Sequence, residues 1–245
     1  MMRLLALFIS FLLMTKAAGA QVPQLGDLLP GTDAPTTGRI IQYVLLLTVL
    51  AVAPSILVMV TSFTRFIVAF SFLRSALGMQ STPANLVITS LSLFLTFFVM
   101  APVFDKSWRE GLQPLLENKL TETEASEKIT DPFRDFMLGQ VREKDFVMFK
   151  NLANEKFGAV AENSKPELRV LVPAFMVSEL RRGFEIGFLI SLPFLIIDLI
   201  VATITMSMGM MMLPPTVISL PFKVLFFVLI DGWSMLAGSL IKSFS

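Results

Sequence analysis

The stretch Ile186–Pro214, "IGFLISLPFLIIDLIVATITMSMGMMMLP", carries a single charged residue, Asp198. At 1.5 Å per residue, about 20 consecutive apolar residues cross the roughly 30 Å hydrocarbon core of a bilayer. A helix that is apolar all round belongs in a membrane or a membrane-like interior. This one reads as such a helix, and it ends unusually. Five methionines, Met206, Met208, Met210, Met211 and Met212, fall within seven positions, broken by Gly209 and followed by Pro214 and Pro215. The prolines prevent the helix from continuing and reset the chain direction.

Three further apolar blocks flank the charged centre of the chain. No residue between Arg39 and Arg65 is charged, a run of 25 positions in which Pro54 is expected to kink or break the helix. Ser75–Phe104 is also charge-free and contains the second candidate span, "LVITSLSLFLTFFVMAPVF". The linker between these two reads as an amphipathic helix and a turn, with Arg65 and Arg74 as its only charges. Pro215–Leu240 forms the last block and contains Lys223 and Asp231. The predicted architecture is an all-α membrane-associated protein. Two long helical hairpins, 39–104 and 186–245, have kinked helices and flank a charged helical region, 105–185.

That central region holds 13 Lys and Arg against 15 Asp and Glu, the one segment with soluble character. A helix is expected to start there with Thr130 or Asp131 as its cap and Pro132 in its first turn. A change of face or a break is expected near Gly139. Lys106–Lys128 is expected to form one or two shorter helices.

Composition narrows the function classes. Hydrophobic residues make up 54% of the chain and charged ones 16%, with a mean hydropathy of +0.73. A formal net charge of +1 offers no electrostatic case for nucleic-acid binding. The chain has no cysteine and no histidine, which removes disulfides, thiolate chemistry and the commonest metal ligand. No phosphate loop of the form G-x-x-x-x-G-K-[ST] is present. No catalytic, metal or cofactor-binding residue is therefore assigned.

At the N-terminus, Arg3 precedes "LLALFISFLLM", and "KAAGA" follows with Ala18 and Ala20 as a small–x–small pair. This is the three-part layout of a signal peptide, 1–20, with cleavage expected before Gln21. The alternative is an uncleaved first membrane helix. Residues 21–38 would then form a short extracytoplasmic segment. With Gln21 outside, a four-span topology places Arg65 and Arg74 on the cytoplasmic side and region 105–185 on the periplasmic side.

Charges in apolar surroundings need partners, because Asp or Lys at a bilayer centre costs roughly 2.5–3.5 kcal/mol. Hairpin geometry makes Asp198 and Lys223 a plausible pair; Lys223 could instead face a neighbouring subunit, and Asp231 carries the same burden. In "ELRRGFEIG", Glu179, Arg181, Arg182 and Glu185 form a charge knot, readable as an interfacial anchor or as an assembly surface of intersubunit ion pairs. Gly183 and Gly187 share one helix face, a spacing that lets another backbone approach closely.

Two long motifs carry a family resemblance: "PAFMVSELRRGFEIGF" at Pro173–Phe188 and "PFKVLFFVLIDGW" at Pro221–Trp233. With "TSFTRFIVAFSFLRSALG" at 61–78 and "LSLFLTFFVM" at 91–100, the chain resembles the FliP family of flagellar biosynthesis proteins along nearly its whole mature length. One departure is visible: Pro83-Ala84-Asn85-Leu86 stands where the family commonly has a Pro-Pro-Asn-Gln-like turn.

The resemblance implies a core subunit of the flagellar type III export gate in the bacterial inner membrane, at the flagellar basal body, with much of the assembly raised toward the periplasm. It implies a homo-oligomeric ring of five copies completed by FliQ and FliR, associated with FlhA and FlhB, around a path for unfolded flagellar subunits. It also implies that Met206, Met208, Gly209, Met210, Met211 and Met212 constrict the channel, with Pro214 and Pro215 turning the loop. Methionine suits a seal because it is flexible, uncharged and fills irregular gaps. Two other readings stay open on the residues alone: a small ion-coupled transporter using Asp198 and Lys223, and a non-conducting assembly scaffold.

Overall fold

A computed structural model describes residues 36–158, 165–209 and 214–244. Residues 1–35, and with them the signal-peptide reading, lie outside this range, as do Met210, Met211 and Met212. Every regular element among the described residues is helical.

The chain divides into two units, Met1–Ala51 and Val52–Ser245. Helix α1, Thr36–Val60, begins in the first and ends in the second, and it is assigned without interruption through Pro54. In the first unit the described residues are 36–51, within which the apolar stretch starts at Ile40.

The second unit is organised around α2, Phe63–Ala76. One face of this helix supplies Phe66, Ala69, Phe70 and Leu73, all buried in the main core. The amphipathic reading of the linker thus understated its role, because both ends and most of its circumference are covered. Helix α2 ends where Gly78 adopts φ +75 and Met79 N–H reaches back to the Arg74 carbonyl, 3.2 Å. Only a residue without Cβ enters that left-handed geometry cheaply.

Helix α3, Asn85–Ser107, returns alongside α2 and leads into a π-helical turn, Trp108–Leu112, and the short α4, Gln113–Leu116. Gly111 sits against Ile129, where an added Cβ would come within 2.5 Å of Ile129 Cγ1. The charged region then folds as α5, Glu122–Gln140, and α6, Glu143–Phe157. Helix α5 is capped by Thr121, nine residues before Thr130 and ten before Asp131, the two caps expected. Thr121 and Glu124 form a reciprocal capping box that satisfies the first free N–H groups, and Pro132 is carried inside the helix. The break falls at Val141–Arg142, two residues beyond Gly139.

Helix α7, Leu168–Ser207, has 40 residues and a length of roughly 60 Å, about twice a hydrocarbon core. It runs parallel to α2, because the contacts Arg65–Glu179, Val68–Gly183 and Phe72–Gly187 advance together along both. Helices α8, Pro215–Leu229, and α9, Gly232–Lys242, return antiparallel to it and are bent by 64° at Ile230–Asp231. Asp231 adopts φ +50 at the bend. The Phe227 ring fills the space where a Cβ at Gly232 would stand, 2.2 Å from the nearest ring atom.

Four spans were expected. Among the described residues two continuous helices are long and apolar enough to cross a membrane, Asn85–Leu116 and Leu168–Ser207, and the bent α8–α9 pair makes a third if it counts as one span. The orientation derived from four spans also changes. Arg65, expected on the opposite side from region 105–185, bonds to Glu179 and Gln140 of that region. A guanidinium released from an apolar helix takes the nearest carboxylate, and Glu179 of α7 provides it at the same level.

Candidate functional site

Met206 and Met208 stand at the end of α7, where the chain turns toward α8. Helix α7 ends at Ser207. Met208 N–H donates to Ile204 O at 3.1 Å and Gly209 N–H to Met206 O at 3.0 Å, after which Gly209 turns the chain at φ +75. Pro214 then precedes α8, whose first residue is Pro215, a position where the missing N–H costs nothing. Met206 is 58% exposed and Met208 69%, so neither packs into the core of its own chain. Large apolar side chains left open at a helix tip are available to a partner surface, to lipid or to like residues from another copy.

Below the tip, the hairpin is pinned by a buried polar group. Lys223 Nζ lies 2.6 Å from Asp198 Oδ2 and donates to Ala76 O at 2.9 Å, where the C-terminal carbonyls of α2 favour a cation. Ser219 Oγ donates to Asp198 Oδ1 at 2.5 Å. The ammonium and carboxylate therefore have their hydrogen bonds supplied within one chain, tying α2, α7 and α8 together in otherwise apolar packing.

The charge knot separates into distinct environments. Glu179 is fully buried and receives two bonds from Arg65, Nε at 2.8 Å and Nη2 at 2.5 Å. Arg181 pairs with Glu185 one turn along the exposed face, 2.7 Å. Arg182 donates to Gln140 Oε1 at 2.9 Å and makes no ion pair among the described residues. The knot is thus one internal ion pair, one surface pair and one cation without a carboxylate. Gly183 and Gly187 face α2: a Cβ at Gly187 would come 2.5 Å from Phe72 Cγ, and one at Gly183 3.0 Å from Val68. Asp231 is exposed at the α8–α9 bend.

Sequence reasoning did not single out Arg65, Gln140, Ser243 or Phe244 as one group. Arg65 Nη1 donates to Ser243 O and Oγ, both at 2.8 Å, its guanidinium carbon lies 3.5 Å from the centre of the Phe244 ring, and Gln140 Nε2 donates to Phe244 O at 3.3 Å. The available signal was a lone arginine on the buried face of an aromatic-rich helix. Such a charge must have a partner, though nothing local names it.

In the charged region, Asp131 accepts from Lys165 Nζ at 2.6 Å and pairs with Arg134. The Lys165 hydrogen bond is the main cause holding the Asp131 carboxyl below its usual range. Glu124 is likewise held low by the Thr121 backbone N–H of the capping box.

These features define a class: an all-α membrane protein with a charged helical middle region, whose longest helix forms with α8 a hairpin bearing exposed methionines near the turn. The FliP family model matches residues 46–240. The flagellar biosynthetic protein FliP of Rhizobium meliloti is 56% identical over 244 residues, covering the whole of both chains. That of Agrobacterium fabrum is 60% identical over 213 residues, 87% of each chain, and that of Bacillus subtilis 46% over 224 residues, 89% of this chain and 98% of its own. The chain belongs to the FliP family, membrane components of the flagellar type III export gate.

Proposed function

We propose that several copies of this chain surround a common axis, and that their α7–α8 tips meet there as a deformable seal. As a FliP-family protein the chain is a core channel-forming subunit of the flagellar export gate, without enzymatic activity, in the inner membrane at the flagellar basal body. Its partners are other components of that apparatus. The finer assignment is a ring of five copies, completed by FliQ and FliR and served by FlhA and FlhB, passing unfolded flagellar subunits. Region 105–185 would lie on the periplasmic side.

One observation carries the seal: Met206 and Met208 are left open at a tip that a glycine and two prolines force to turn. In a symmetric ring such tips come together, and unbranched thioether side chains close irregular gaps against water and ions. They also part around a passing chain without needing a fixed complementary shape. Energy must come from partners, since the chain itself carries no nucleotide-binding loop.

The alternative of an ion-coupled transporter assigns flux to Asp198 and Lys223. Against it, both groups are held by fixed partners in the helix packing. The test is ion conductance of membranes containing assembled complexes. Replacing Met208, Met210 and Met211 by alanine is expected to raise the leak while the complex stays intact. An unchanged leak in intact complexes rules out the seal and leaves the scaffold reading. A pH-dependent flux that vanishes with Asp198→Asn favours the transporter.

A further inference from the structure

Between α7 and α9, beside the bend, lies an apolar cleft of about 320 Å³. Ile186, Leu189 and Pro193 line it from α7, Met235 and Ser239 from α9, and Phe227 from α8 closes its floor. Leu189 is 63% exposed and Met235 57%, so the cleft opens outward onto the apolar surface of the helices.

One end of this cleft is cationic. Arg182 stands one turn before Ile186 on the same face of α7, and Lys242 stands three residues beyond Ser239 on the same face of α9. Because α9 runs antiparallel to α7, both cations fall at the same end. That level is fixed by Gln140, which accepts from Arg182 and donates to Phe244 O, two residues beyond Lys242. The neighbouring carboxylates are already engaged, Glu179 by Arg65 and Glu185 by Arg181. Neither Arg182 nor Lys242 makes a direct ion pair among the described residues, although Arg182 stands close enough to Glu179 and Glu185 to act on both carboxylates. The charge-free part of α7 starts at Ile186, so the cations sit where the apolar surface gives way to the charged region.

We infer that this cleft binds an anionic phospholipid, one acyl chain lying between α7 and α9 and the phosphate held by Arg182 and Lys242. An apolar slot with two cations at one end, neither in a direct ion pair among the described residues, complements an amphiphile with one negative head. Basic pockets between membrane helices are suited to such headgroups. A lysine at position 242 suits this role, because its aliphatic stem can lie on apolar surface while the ammonium reaches a headgroup. The site is separate from the methionine tip, so its fate does not depend on the seal.

The test is lipid retention by the purified full-length protein, delipidated in detergent, titrated with phosphatidylglycerol or phosphatidylcholine of identical chains, and read by native mass spectrometry. Wild type is expected to retain the anionic lipid in clear preference. The double variant R182Q/K242Q should lower retention of phosphatidylglycerol by about thirtyfold and leave phosphatidylcholine unchanged. K242Q alone, which disturbs no observed hydrogen bond, should give about a fivefold loss. Ser239→Phe, which fills the slot, should weaken both lipids. Equal retention of the two lipids by wild type overturns the inference, as does a K242Q variant that keeps the preference. If Ser239→Phe changes the oligomeric state while lipid retention stays as in wild type, the slot holds a second copy of the chain and the lipid site is wrong.

Discussion

Separating Arg65 from Glu179 is the perturbation whose size follows most directly from the packing. Both side chains have no exposed surface, and the pair is bidentate, with Nε–Oε2 2.8 Å and Nη2–Oε1 2.5 Å. Glu179→Leu leaves a buried guanidinium with only the neutral acceptors of Ser243 and Gln140 and the Phe244 ring. Arg65→Met strands a buried carboxylate. Each single change is expected to cost about 3–5 kcal/mol, because the surviving charge remains desolvated without its counterion. Replacing both by apolar residues removes the ionic desolvation penalty along with the attraction. The double variant should therefore lie within about 2 kcal/mol of wild type. The assay is thermal unfolding of the detergent-solubilised protein, followed by helical circular dichroism. At roughly 2–4 °C per kcal/mol, each single variant should melt about 6–20 °C lower. Single variants that melt with wild type, or a double variant as weak as the two losses added, would refute a buried, coupled pair.

The same packing yields three further expectations. Gly187→Ala drives a Cβ to within 2.5 Å of the Phe72 ring and should destabilise by about 1–3 kcal/mol in the same melt, whereas Gly139→Ala, with open space around its Cβ position, should not. Lys223→Ala should lower the melting temperature more than Lys223→Met combined with Asp198→Leu, because only the single change strands the carboxylate among apolar helices. Asp131, whose carboxyl is held below its ordinary value of 3.8 by Lys165, binds its proton more weakly folded than unfolded. Its contribution to stability is therefore present above pH 3.8 and is lost as the pH falls through the depressed folded value. In thermal melts, wild type should be more stable than Asp131→Asn at pH 7, and the difference should shrink as the pH is taken below 3.8; a difference that stays constant would contradict the Asp131–Lys165 contribution.

Much of the fold was legible because lipid-like burial writes itself into composition. The apolar blocks that the sequence places after Ile186 and before Phe104 lie largely within two long apolar helices, Leu168–Ser207 and Asn85–Leu116. Asp198 and Lys223 were each too costly to leave alone, and they meet across the α7–α8 hairpin. Gly183 and Gly187 signalled a close backbone approach, though not that α2 of the same chain makes it. What composition could not convey was levels. The simple span count put Arg65 opposite the charged region because it treated each apolar block as one crossing. A 40-residue helix outruns the hydrocarbon, so a single element carries both the charged segment around Glu179 and the tip around Met206. The start of α5 was missed for a different reason: the Pro132 signal outweighed the quieter capping box at Thr121–Glu124. Arg65 was read as a cytoplasmic-side charge on an amphipathic linker helix because its partners are far away in sequence, and single-sequence periodicity carries no information about such distances.

The seal itself is tested most directly by covalent capture across the axis. The chain contains no cysteine, so Met208→Cys introduces one thiol at the hairpin tip. A disulfide forms between two such thiols only when the Cα atoms approach to about 4.4–6.8 Å. Mild oxidation of assembled complexes should join adjacent subunits through residue 208, while a cysteine at Leu189, on the side of the hairpin, should not cross-link. Intact complexes in which residue 208 never cross-links, under conditions that oxidise the exposed thiol by other routes, would contradict convergence of the tips on a shared passage.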